Sequence, residues 1–123
     1  MECEDKLDII FTMQKALNDE IQTTRQLNFT TEEWLEKTML ATFSELAEVL
    51  AETNYKWWKN EKPVNEDALK EELVDVLHFF VSLCLRSGMD ARELFERYLE
   101  KNKENFDRQH GKSSKEGYAV NHE

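Results

Sequence analysis

The sequence predicts an all-α fold: a four-helix bundle-like module closed by a short flexible C-terminal tail. Three observations lead there. Only three glycines and one proline occur in 123 residues, so few turns are encoded. Apolar residues recur at helical rather than strand spacing, and helix-start residues precede the periodic stretches. No segment alternates as a strand should, and no internal repeat or low-complexity segment is present.

The first helix is predicted over roughly 4–22, where Leu7, Ile10, Phe11, Leu17 and Ile21 form a stripe at about 3.6-residue spacing. Gln14 falls inside that stripe and Asn18 follows one turn later, so each amide needs a partner if buried. A second helix starts at Thr30-Thr31-Glu32-Glu33, with Thr30 and Glu33 spaced as a capping box. It continues through Trp34, Leu35, Met39, Phe43, Leu46 and Leu50 to about Thr53. In the following Tyr55-Lys56-Trp57-Trp58-Lys59, adjacent tryptophans cannot point the same way. One is expected to face the interior and the other to stay open to a ligand or partner.

Asn65 is the expected N-cap of a third helix over about 66–86, with Val64 and Leu69 placed as a hydrophobic staple. Gly88 suits its stop, and Asp90 with Glu93 caps a fourth helix. There Leu94, Phe95, Tyr98 and Leu99 supply an apolar face, and Lys101, Asn105 and Arg108 continue one side at steps of three and four. Beyond it, Gly111, Ser113, Ser114 and Gly117 predict a mobile tail that carries Lys115 and Tyr118. One all-α domain over 1–110 and a polar tail over 111–123 follow from this division.

Sixteen basic against twenty-six acidic residues give a net charge of −10, a poor footprint for nucleic acid. Cys3 and Cys84 are the only cysteines, and their spacing suggests neither a disulfide framework nor a zinc site. The acidic N-terminus lacks the order of a secretory signal. The apolar run 73–85 is shorter than the roughly 20 residues a bilayer needs. A reduced, cytoplasmic protein with no membrane partner is the simplest expectation.

Within that run, Asp75 stands among apolar residues, with His78 and Ser82 as the other polar side chains. A helix apolar on every side is expected to be buried, and a buried carboxylate must be paired, protonated or metal-bound. Glu72 lies one turn before Asp75, and Glu45 and Glu48 repeat the same step on the second helix. Residues three apart share a helix face, with Cβ atoms about 5–6 Å apart. Helices joined by a short connection favour antiparallel packing, so the two pairs can meet. Such hard oxygen donors select Mg²⁺ or Mn²⁺. The same spacing also occurs on solvated faces, which leaves a non-catalytic helical interaction module as the alternative.

Glu45-Leu-Ala-Glu48 followed by Glu72-Leu-Val-Asp75 resembles the metal motif of the all-α nucleoside triphosphate pyrophosphohydrolase, or MazG-like, superfamily. More closely, the chain is similar to the all-α, dimeric-type dUTPases. That likeness is carried by Met13–Asn18, Lys56–Asn60, Asp75–Phe80, Tyr98–Gln109 and Lys115–Tyr118. The resemblance implies hydrolysis of dUTP to dUMP and pyrophosphate with Mg²⁺. It implies Glu45, Glu48, Glu72 and Asp75 as metal ligands. Gln14, Asn18, Trp57 and Trp58 would recognise the base, Phe79 would stack on it and His78 would lie by the deoxyribose. Lys101, Asn105, Arg108, Lys115 and Tyr118 would hold the phosphates. The expected reaction is attack of a metal-activated water on a phosphorus, with Glu48 the first choice of assisting base. Relatives that prefer dCTP or a non-canonical nucleotide remain an alternative. The short connection Arg86–Asp90, where longer members insert helices, predicts a homodimer or higher homo-oligomer.

Overall fold

The computed structural model describes residues 5–119 and contains four α-helices: α1 (Lys6–Thr24), α2 (Thr31–Ala51), α3 (Glu66–Arg86) and α4 (Ala91–Gln109). Among the described residues there is no strand, so the fold is all-α as the sequence predicts. Each helix opens on an oxygen-bearing cap. Asp5 and Asp8 form a reciprocal capping box on α1. Thr30 accepts from the Glu33 N–H at 3.1 Å, Asn65 from Ala68 at 3.1 Å, and Asp90 from Glu93 at 2.8 Å.

Three helices stop in the same way. After α1, the Gln26 N–H donates to Thr23 and the Leu27 N–H to Gln22, at 3.2 and 2.9 Å. After α3, Gly88 donates to Leu85 and Met89 to Cys84; after α4, Gly111 donates to Arg108 and Lys112 to Asp107. This pattern is the Schellman stop, which needs a left-handed residue. Gly88 and Gly111 supply it at φ 84° and 71°, but α1 uses Gln26 at φ 53°.

The chain divides after Met89 into two compact units. In the first, α3 packs against both α1 and α2. The side-chain pairs set the directions. Gln14 and Asn18 of α1 meet His78 and Ser82 of α3 in the same order, so α1 and α3 run parallel. Trp34 near the start of α2 meets Arg86 at the end of α3, whereas Glu45 meets Glu72 and Asp75, so α2 runs antiparallel. Phe11 of α1 and Val81 and Cys84 of α3 are buried, with Val81 only 1 % exposed. Burial pushes the Cys84 thiol above its ordinary value. Cys3 lies outside the described residues.

The core is thin. Leu73, Val74, Leu77 and Phe80 of α3 are all substantially exposed, because two neighbouring helices cover only part of its circumference. This corrects one expectation: Asp75 is exposed, not enclosed. An apolar run of this kind tolerates a carboxylate because the side on which it stands is open.

The second unit consists of α4 and the segment after it. Four i,i+4 ion pairs lace α4, among them Arg97–Glu93 at 3.2 Å and Arg108–Glu104 at 3.2 Å. Phe95, Tyr98, Leu99 and Phe106 are at least half exposed. In the described part of the tail, Ser113 Oγ donates to Glu104 at 2.7 Å, and the Tyr118 ring lies 5.5 Å from the Arg108 guanidinium.

Candidate active site

Two helices of the first unit bring carboxylates together. One oxygen each from Glu45, Glu72 and Asp75 lies within 4.8 Å of the others, the group of this kind found among the described residues. The antiparallel packing of α2 and α3 produces it, since Glu45 comes from α2 and the i,i+3 pair from α3. Glu72 records the crowding. Its carboxyl is held above the ordinary value of 4.5, first by desolvation, then by the charges of Asp75, Glu45, Glu48 and Glu52. Three hard oxygens that repel one another at this distance form a donor set suited to a divalent cation. Glu48 stands outside the trio, exposed to solvent, yet close enough to act on Glu72. Glu52, the C-cap residue that follows α2, also acts on Glu72 and was not singled out from the sequence. Its i+4 relation to Glu48 was the available signal.

Beside this cluster runs a polar ladder between α1 and α3. His78 Nδ1 pairs with Gln14 Oε1. Gln14 Nε2 donates to Asn18 Oδ1 at 2.9 Å, and Asn18 Nδ2 donates to Ser82 Oγ at 3.1 Å. The Ser82 hydroxyl in turn donates to the His78 carbonyl at 2.8 Å. Gln14 and Ser82 are 7 % and 6 % exposed, and no buried side-chain polar atom among the described residues lacks a partner. The amides that interrupt the apolar stripe of α1 are thus satisfied by α3.

Phe79 lies on the same stripe of α3 as the carboxylates. Glu72, Asp75, Phe79 and Ser82 succeed one another at steps of three, four and three. Four helical residues rise about 6 Å, so Asp75 and Phe79 are one turn apart. Phe79 lines a cavity of about 140 Å³ with Asn18, Trp34, Thr38, Ser82 and Arg86. Burial lowers the pKa of Arg86, and its guanidinium sits over Trp34. On the other side of the ladder, Gln14 and His78 open onto a groove of about 580 Å³ lined by Ile10, Met13, Leu17, Val74 and Leu77.

The tryptophans depart from expectation. Trp57 and Trp58 are 86 % and 60 % exposed, so neither faces the interior. They lie in a turn rather than a helix or strand, so the alternation does not apply, and the two rings pack edge to face with centroids 4.7 Å apart. Neither lines the cavity of Phe79 or the groove of Gln14. Their loop is closed by Asn54, whose side chain both donates to the Lys62 carbonyl at 2.8 Å and accepts from the Lys62 N–H at 2.9 Å.

In the second unit, Asn105, Arg108 and Tyr118 gather at the end of α4: Arg108 Nη1 donates to Asn105 Oδ1 at 3.3 Å, with the Tyr118 ring beside it. Lys101 and Lys115 are exposed, and the Lys115 N–H donates to Ser113 Oγ. Glu104, which sequence spacing did not flag, already occupies the Arg108 Nε. The Ser113 hydrogen bond, then Arg108, hold its carboxyl below the ordinary value.

An all-helical unit thus converges three carboxylates, a donor set suited to a divalent cation, one turn from an aromatic, amide-lined cavity. The chain belongs to the dUTPase family, whose sequence profile matches residues 6–93. That span contains the acidic cluster, the ladder and Phe79, while Lys101, Asn105, Arg108, Lys115 and Tyr118 lie beyond it. The dCTP pyrophosphatase of Enterobacteria phage T4 is 45 % identical over 47 residues, which cover 38 % of this chain and 28 % of the relative. The dCTP pyrophosphatase of Enterobacteria phage LZ5 is also 45 % identical over 47 residues, covering 38 % of this chain and 27 % of its own length. The match thus spans little more than a quarter of either relative. No solved structure matches the chain. No helix among the described residues is long and apolar enough to cross a membrane.

Proposed function

We propose that this protein is a Mg²⁺-dependent nucleoside triphosphate pyrophosphohydrolase that converts dUTP to dUMP and pyrophosphate. The observation that carries the reading is the convergence of Glu45, Glu72 and Asp75 one helical turn from Phe79. A nucleotide stacked on Phe79 would direct its phosphates along the stripe toward the carboxylates. When bound, a divalent cation would supply charge stabilisation at the phosphoryl oxygens and at the departing pyrophosphate. Glu45, Glu72 and Asp75 would hold it. Glu48, outside the trio, is our choice for the carboxylate that takes the proton of the attacking water.

Gln14 and Asn18 supply the amide edge suited to a pyrimidine, and His78 lies beside them for the sugar. Trp57 and Trp58 are assigned to the base site on the family resemblance alone. Lys101, Asn105, Arg108, Lys115 and Tyr118 carry the cationic and hydrogen-bonding chemistry that a polyphosphate needs.

The dCTP pyrophosphatases supply a second reading, in which cytosine is the preferred base. Incubation with an equimolar mixture of deoxynucleoside triphosphates and Mg²⁺ separates the two. Selective appearance of dUMP and pyrophosphate supports our reading; dCMP would transfer the assignment to the second. Absence of any monophosphate would reject both in favour of a non-catalytic helical module.

We also propose a homo-oligomer, most simply a dimer. Contiguous apolar faces of this kind mark association surfaces, and Ile10, Met13, Leu17, Val74 and Leu77 form one along α1 and α3. Sedimentation giving a monomer mass at micromolar concentration would reject it.

A further inference from the structure

The ladder between α1 and α3 has one permitted direction, and Ser82 sets it. A serine hydroxyl has a single proton. Here that proton goes to the His78 carbonyl, 2.8 Å away. Toward Asn18 the hydroxyl can then only accept, which it does from Nδ2 at 3.1 Å; Oδ1 is farther, at 3.5 Å. With Nδ2 facing Ser82, Asn18 Oδ1 is left to accept from Gln14 Nε2 at 2.9 Å. Gln14 Oε1 is therefore the acceptor for His78, whose proton must sit on Nδ1. Reversing either amide would place like groups against each other and break the bonds on both of its sides.

This order leaves each amide one unused N–H and one unused carbonyl lone pair. Uracil and cytosine differ at the positions such an amide reads. Uracil offers a donor at N3 and an acceptor at O4, and cytosine an acceptor at N3 and a donor at N4. An amide free to turn by half a revolution serves either base; a locked one serves one. We propose that Ser82 is a positioning residue for base selection: its hydroxyl locks Asn18 and Gln14 in a single orientation, and the lock makes the site distinguish uracil-type from cytosine-type nucleotides. The inference rests on the reading of Gln14 and Asn18 as the base-recognising pair of a pyrophosphohydrolase.

The test compares the full chain with Ser82→Ala and Ser82→Thr. The kcat/KM for dUTP and for dCTP is measured with Mg²⁺, and the His78 ring nitrogens are followed by ¹⁵N NMR without nucleotide. Removing the hydroxyl should shrink the ratio of preferred to disfavoured base by about tenfold or more, because a site built on fixed hydrogen bonds rejects the wrong partner far better than a free one. Threonine, which keeps the hydroxyl, should restore the ratio. His78 should show the Nδ1–H form in the native chain and a mixture of tautomers in Ser82→Ala. An unchanged ratio in Ser82→Ala, even with a lower melting temperature, overturns the proposal and leaves the enzymatic reading standing. So does a native His78 protonated at Nε2, a result available even if the alanine variant does not fold. A native chain that turns over no triphosphate rejects the enzymatic reading and, with it, any role in base selection.

Discussion

The Arg86 guanidinium lies 4.0 Å from the centroid of the Trp34 indole, tying the end of α3 to the start of α2. Burial depresses the pKa of Arg86, and the nearby Asp19 charge opposes that shift. A planar cation on an indole face contributes about 0.5–2 kcal/mol, more as water is excluded. Trp34→Ala should therefore destabilise the protein by about 2–3 kcal/mol, counting the lost packing. Arg86→Lys should cost about 1 kcal/mol, because an ammonium cannot stack. Urea denaturation of both variants and the double mutant gives the coupling. A coupling near zero would mean the two side chains are only neighbours.

Gln26 ends α1 in a conformation that glycine adopts freely, and α3 and α4 use glycine at the equivalent place. A left-handed residue with a Cβ costs about 1–2 kcal/mol. Part of that is returned in the unfolded chain, which glycine loosens. Gln26→Gly should accordingly raise stability by about 0.5–1 kcal/mol. Gly88→Ala should lower it by about 1 kcal/mol. A Cβ at Gly88 meets nothing within 4 Å, so any loss there is conformational, not steric. Thermal melts of the two variants should move in opposite directions.

Most local signals in the sequence were legible, and the long-range ones were not. Thr30, Asn65 and Asp90 cap the helices they were expected to cap, since a cap needs only residues three apart. The i,i+3 carboxylate pairs were legible for the same reason. Enclosure was not. The apolar run around Asp75 implied a buried helix, but burial depends on how many neighbours a helix has, and α3 has α1 and α2 within its unit. Gln14 and Asn18 were marked as needing partners, yet their link to Ser82 spans 64 residues. Gln26 gave no signal at all, because its side chain does not favour the backbone shape it adopts.

Glu104 should titrate below an ordinary carboxylate, with Ser113 the larger cause and Arg108 the next. A carboxylate depressed in the folded state contributes stability above its unfolded pKa and loses it as pH falls through the folded value. Ser113→Ala should therefore move the Glu104 titration upward toward 4.5 in a ¹³C-detected NMR experiment. The difference in stability between the two proteins should be present at neutral pH and vanish in acid. Glu104 is partly exposed, so solvent screening should keep the effect on the melting temperature small.

The acidic trio makes opposite demands on stability and function, which gives the most discriminating prediction. Without a cation, Glu72 is disfavoured as a carboxylate by desolvation and by four acidic neighbours. Neutralising it should relieve that repulsion, so Glu72→Gln is expected to melt at a higher temperature than the native chain in EDTA. With Mg²⁺ the order should reverse, because only the native chain gains binding free energy. Asp75→Asn removes a charge of the same trio from an exposed position. It should retain its helical circular dichroism and lose about a hundred- to a thousandfold in kcat, the scale seen when a group that stabilises transition-state charge is removed. Differential scanning calorimetry with and without Mg²⁺, beside product assays, reads both effects. If Mg²⁺ raises the melting temperature of native, Glu72→Gln and Asp75→Asn chains alike, these carboxylates are a solvated acidic surface and not a cation site.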